Sequence, residues 1–225
     1  MALSTLFFIL FIILSAIHIA GEFLEENPKV KIRVITKPFL LPLVVLYYFI
    51  SSNESGTPIV WLIAIGLILG FVGDVVLLKP KVEILFMIGL GSFLIGHVLY
   101  IIAFFQATNR FAGIPSVIYL LIIVYVIVFI LIYRFFKDYT KEMTIPVVVY
   151  MIIILVMSFA SLLVGFSTDT APVKSPWLLF IGALNFIASD FLLANQLFKK
   201  SFKYDQSIIM LTYLIAQLLI AQAYL

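Results

Sequence analysis

The sequence predicts an all-α integral membrane protein: a bundle of eight transmembrane helices forming a single domain over residues 1–225. Three observations carry this. Hydrophobic residues make up 64% of the chain and charged residues 11%, with mean hydropathy +1.25; a soluble domain would be about 45–50% apolar and about 25% charged. The apolar residues fall in runs close to the roughly 20 needed to cross a bilayer as helix. The basic residues collect between the runs, on one side.

The runs are Leu3–Ala20, Thr36–Ile50, Ile59–Leu78, Ile84–Phe105, Ile114–Tyr133, Ile145–Phe166, Trp177–Gln196 and Ser207–Tyr224. The first has no basic leader and ends in "SAIHIAGEFLEE", a poor cleavage context, so it is a span and not a signal peptide. The second is the shortest and opens with "TKPFLLP"; Pro38 suits a first helical turn and Pro42 a kink. No hydrophilic tail or linker interrupts the pattern, which argues for one membrane domain.

Loop charge gives orientation. Lys29, Lys31 and Arg33, then Lys79 and Lys81, then Arg134, Lys137 and Lys141, then Lys199, Lys200 and Lys203 follow the odd-numbered spans; Arg110 and Lys174 alone lie on the other side. The positive-inside rule puts the odd-numbered loops in the cytoplasm and both termini outside. The compact chain fits a bacterial cytoplasmic membrane. A net charge of +3 is too small to suggest nucleic acid.

Ionisable groups inside spans are costly and usually face a bundle interior or a watery cavity. Here they are Lys37, Asp74, His97 and Asp190, with Glu22 closing span one and His18 buried within it. The topology places Glu22, Lys37, Asp74, Tyr150 and Asp190 in the cytoplasmic half, which predicts one polar cavity opening to that side. His97 and Gln217 lie deeper. His18 has no evident partner and reads as structural. Lys37 alone would read as a snorkelling residue, and a buried Asp–Lys pair as purely structural. Two aspartates that each follow a small residue, Gly73 and Ser189, are harder to dismiss, because small neighbours allow helices to approach closely. Tyr100, Tyr150 and Tyr213 need partners for their hydroxyls inside spans, whereas Tyr47, Tyr48 and Tyr133 suit an interfacial belt. "GDVVLL" and "SDFLLA" resemble each other and belong to spans three and seven, as a four-plus-four internal duplication would produce.

The absent motifs narrow the chemistry. There is no HExxH, GxSxG, P-loop or dinucleotide fingerprint. Two histidines and no cysteine cannot build a histidine- or thiolate-rich metal site; no cofactor is expected, and a metal held by carboxylates and His97 is an alternative without support in the sequence. Ser189 and Asp190 point about 100° apart on a helix and make no dyad. An intramembrane aspartyl protease is disfavoured: "FVGD" departs from GxGD, "SD" from YD, and no PAL tripeptide follows. Carboxylate acid–base chemistry remains. A carboxyl group taken out of water keeps its proton to higher pH, and one protonated and one ionised carboxyl form a general acid and a general base. The same acids would also serve a transporter or lipid-binding protein as a proton relay.

"GFVGDVVLL", "FMIGLGSFLIGHVLYIIAF", "IPVVVY", "GALNFIASDFLLANQLF" and "TYLIAQLLI", in this order, with "TKP" before them, resemble the YhhN family of multi-pass membrane proteins, which includes the animal lysoplasmalogenases. The resemblance runs from about Lys37 to the C-terminus. It implies hydrolysis of the vinyl ether bond of a lysophospholipid substrate, releasing a fatty aldehyde and glycerophosphoethanolamine or glycerophosphocholine. A vinyl ether is cleaved by protonation at its β-carbon, which needs a placed acid and a nearby anion. Asp190 is assigned as the acid and Asp74 as the base, an assignment the sequence leaves reversible. Lys37 is assigned to the substrate phosphate. His97, Tyr100, Tyr150, Ser189, Tyr213 and Gln217 match motif positions and are expected to line or support the cavity, with Glu22 included by depth alone. Another ether or lysolipid would suit the same machinery.

Overall fold

Hydrocarbon offers backbone groups no water to bond, so a spanning chain must satisfy them internally, and a helix does so residue by residue. The computed structural model describes residues 2–24, 32–78, 82–108, 113–140 and 143–225. Among them are eight α-helices and no strand: α1 (Leu3–Leu24), α2 (Ile32–Ser55), α3 (Trp61–Val76), α4 (Glu83–Ala107), α5 (Leu121–Thr140), α6 (Thr144–Phe166), α7 (Pro176–Phe198) and α8 (Asp205–Gln222). A short 3-10 turn, Ser116–Leu120, leads into α5. Seven of the eight are long and apolar enough to cross a membrane, and the protein is a multi-pass membrane bundle.

The short helix is α3, not α2. With 16 residues, α3 rises about 24 Å, less than a hydrocarbon core of about 30 Å. It begins only at Trp61, after non-helical residues 57–60 that include Pro58, and a turn at Leu77 and Leu78 ends it. Pro80 lies close behind and disfavours helix in the residue before it. By contrast α2 extends over 24 residues and runs through both Pro38 and Pro42. Pro38 therefore sits inside the helix rather than in its first turn. Arg33, expected in a loop, belongs to the first turn of α2, and Arg134 and Lys137 lie within α5. Lys29, Lys31, Lys79, Lys81, Arg110 and Lys141 lie outside the described residues.

Side chains tie the ends of neighbouring helices together. The start of α1 meets the end of α2, where the Leu3 amide donates to Glu54 at 2.8 Å and Tyr47 donates to Gln222 at the end of α8. At the opposite face the Phe23 and Tyr204 rings stack at 4.0 Å, and Lys199 sits 3.5 Å above the Phe135 ring. This second face carries the loops after the odd-numbered helices and is called the odd-loop face. Neighbour relations repeat on a shift of four helices: α3 packs on α4 as α7 on α8, α2 on α3 as α6 on α7, and α4 on α6 as α8 on α2. α5 breaks the pattern, lying at the rim with no buried residue in its most apolar window.

The two halves of the bundle differ. Away from the odd-loop face, Val44, Tyr48, Ile63, Leu67, Phe104, Ala160, Leu179, Ala183 and Ile220 form a continuous core with no exposed surface. Tyr48 belongs to this core and not to an interfacial belt; its hydroxyl accepts the Val60 amide at 3.0 Å, which satisfies a backbone donor just ahead of α3. Tyr133, stacked on Phe129, is partly exposed. Toward the odd-loop face the same helices splay around a cavity.

Candidate active site

The cavity has a volume of about 200 Å³ and draws its walls from α2 to α8. Its charged lining is Arg33, Lys37, Asp74 and Asp190, set among apolar residues such as Phe93, Ile132, Phe136 and Leu155. Residues at the odd-loop ends of their helices, including Arg33, Gln196 and Gln206, form its mouth. One cavity opening at the odd-loop face thus holds both aspartates.

Asp74 is two residues from the end of α3, where the partial negative charge of the helix terminus disfavours a carboxylate. Two other helices offset this. Lys37 of α2 places its Nζ 3.0 Å from Asp74 Oδ1, and Tyr213 of α8 donates its hydroxyl to Oδ2 at 2.9 Å. Behind Tyr213, Gln217 donates to the tyrosine oxygen at 3.4 Å and accepts from Tyr100 of α4 at 2.8 Å. Asp74 is 1% exposed and Lys37 5%. Lys37 is therefore held at the aspartate and does not snorkel. Glycines on α3 make the room: a Cβ on Gly70 would stand 2.6 Å from Gln217 Nε2, and one on Gly73 would stand 2.6 Å from the Phe93 ring.

Asp190 is built differently. It lies on α7 two turns before the helix ends, and Tyr150 of α6 donates to its Oδ2 at 2.9 Å. Among the described residues no cation within 4.0 Å holds it, and its side chain is only partly buried, open to the cavity. Ser189, next to it, turns away and donates to the Ile209 carbonyl at 3.1 Å, fastening α7 to α8. The ring of His97 packs edge-on against Tyr150 and Phe186, with centroids 5.6 and 4.9 Å away. Both its nitrogens are buried without a hydrogen bond of good geometry. With Tyr100 and Gln217 it borders a second, small cavity of about 10 Å³, roughly the size that holds one water molecule.

The residues singled out from the sequence thus fall into three places. Lys37, Asp74, Tyr150, Ser189, Asp190 and Tyr213 line the main cavity. His97, Tyr100 and Gln217 stand behind it. Glu22 is not a lining residue: it lies 4.0 Å from both His18 Nε2 and Arg33 Nε. His18, read as partnerless, pairs its Nδ1 with the Thr36 hydroxyl at 2.6 Å. Arg33 is a lining residue that was read only as a loop charge. The spacing held the signal, because residues four apart share a helix face and Arg33 is four before Lys37. Among the described residues no three potential metal ligands converge.

The arrangement supplies two carboxyl groups in one mostly apolar chamber, one clamped by a cation and one free to meet a ligand. A family model described as the YhhN family matches residues 32–224, most of the chain. No curated protein and no solved structure matches it significantly.

Proposed function

Because the chain belongs to the YhhN family, we propose that it is a membrane-embedded hydrolase that cleaves the vinyl ether of lysoplasmalogens to a fatty aldehyde and glycerophosphoethanolamine or glycerophosphocholine. The observation that carries this reading is the unlike pair of carboxyls on one cavity. Vinyl ether hydrolysis starts with proton transfer to carbon, so it needs an acid that reaches the substrate. Asp190 lines the cavity, and among the described residues Tyr150 alone is hydrogen-bonded to it. Its proton goes to the β-carbon, and the electrons of the double bond leave an oxocarbenium ion at the α-carbon. Asp190, now ionised, stands beside that cation and stabilises it. Asp74, kept as the anion by Lys37 and Tyr213, takes a proton from the water that attacks the cation. The hemiacetal then collapses to the aldehyde and the alcohol, its hydroxyl proton passing to Asp190 and the proton on Asp74 passing to the departing glyceryl oxygen, which returns both carboxyls to their starting states.

The apolar wall formed by Ile132, Phe136, Met151 and Leu155 suits the single hydrocarbon chain. α5, loosely held at the rim, is the side through which that chain enters from the membrane. The loop charges support a cavity mouth at the cytoplasmic leaflet, with both termini on the other side. The test is aldehyde release by protein purified in mild detergent from ethanolamine and choline lysoplasmalogens, read through a coupled reductase. The saturated alkyl ether analogues, which cannot form the cation by protonation, should stay intact. A folded, monodisperse wild type that leaves every vinyl ether intact would sink the proposal.

A further inference from the structure

We propose that Arg33 anchors the phosphate of the lysolipid headgroup at the cavity mouth; this rests on the hydrolase reading above. The argument begins with what Lys37 is doing. Its ammonium lies 3.0 Å from Asp74, nearly sealed from solvent. Binding a phosphate there would leave a buried carboxylate uncompensated, which is strongly unfavourable. Among the described residues lining the cavity, that pair leaves one other cation, Arg33. Its side chain is 33% exposed, and its nearest carboxylate oxygen, on Glu22, is 4.0 Å from Nε. Among the described residues, that leaves the guanidinium without a close bidentate partner.

Depth agrees with chemistry. Arg33 precedes Lys37 by one helical turn on α2 and so lies about 6 Å nearer the odd-loop face. In a lysoplasmalogen, five covalent bonds separate the ether oxygen from phosphorus, roughly 6 Å when extended. A substrate with its vinyl ether at the level of the aspartates therefore carries its phosphate to the level of Arg33. Guanidinium also suits phosphate better than ammonium does, because its fork meets two oxygens at once.

The experiment measures binding and turnover separately. Binding is followed with the non-cleavable 1-O-alkyl lysophosphocholine and with 1-O-alkylglycerol, which lacks phosphate. Wild type should prefer the phosphate ligand, and Arg33→Gln should weaken that ligand roughly 10- to 100-fold, as expected for a lost charge-assisted contact, while leaving alkylglycerol unchanged. Arg33→Lys should fall between. In turnover the loss should appear in KM and not in kcat. Inorganic phosphate alone should show no binding that depends on Arg33; if it does, the site takes free anions and the headgroup assignment is overturned. Equal affinity of wild type and Arg33→Gln for lysophosphocholine overturns it too. So does an equal loss in Glu22→Gln, since that would make the Arg33–Glu22 contact merely structural. Phosphate-dependent binding without aldehyde release would spare this anchor and remove the hydrolase reading; aldehyde release indifferent to Arg33 would do the reverse.

Discussion

Asp74 and Asp190 occupy corresponding helices, α3 and α7, yet their surroundings teach opposite lessons. Asp74 is enclosed, clamped by Lys37 and Tyr213, and backed by a hydrogen-bonded line through Gln217 to Tyr100. Asp190 has a phenol and open space. A buried ion pair resists change in either partner, whereas a carboxyl without a cation is able to exchange a proton with a ligand. On the proposed reading, the first holds a charge and the second transfers a proton.

The largest effect expected from this contrast separates activity from stability. Asp190→Asn should lower aldehyde release by about 10²- to 10⁴-fold, the usual share of a general acid, with thermal stability in detergent nearly unchanged. Asp74→Asn should lower both. Equal melting curves and equal residual rates for the two variants would erase the distinction.

Next in size is the ion pair itself. Lys37→Met leaves Asp74 without its cation and should destabilise the fold by about 3–5 kcal/mol. Lys37→Met with Asp74→Asn should recover most of that stability while remaining inactive. A double variant no more stable than Lys37→Met would show that the pair is not what the fold depends on here.

The smallest effects come from the tyrosines. A hydrogen bond inside a membrane protein contributes on average about 0.6 kcal/mol and at most about 1.7, so neither Tyr150→Phe nor Tyr213→Phe should unfold the bundle. Their kinetics should differ. Asp190 loses its one described hydrogen bond in Tyr150→Phe, while Asp74 keeps Lys37 in Tyr213→Phe, so kcat should fall further in the first. The reverse order would place proton transfer at Asp74.

Much of this was legible in the sequence because membranes make sequences explicit. Eight apolar runs became eight helices, and of the five polar residues assigned to one half of the bundle, Lys37, Asp74, Tyr150 and Asp190 do line one cavity. What escaped were properties that need a neighbour. Nothing in "TKP" says that Lys37 will reach Asp74 instead of the interface. Tyr48 looked like its exposed counterpart Tyr133, and only packing against α3 made it core. Arg33 was hidden by a helix that begins four residues before its apolar run. Hydropathy marks where lipid is, not where the helix starts. Glu22 had the right depth, but depth says nothing about which side of a helix faces the cavity.

The packed half of the bundle has a consequence for any membrane that separates compartments of different acidity. A chain with two intramembrane carboxyls is a potential proton leak. Here the line of hydrogen bonds from Asp74 ends at Tyr100, and beyond it lie the Phe104 ring, 6.2 Å away, and Ala103 and Ala107, all buried. On that helix Gln106 is exposed at the surface and Thr108 turns its hydroxyl back to the Phe105 carbonyl, so no described hydrogen bond carries the line onward. On the hydrolase reading, the break in hydrogen bonding at Tyr100 would let acid chemistry proceed at one end of the bundle while hindering proton passage to the other.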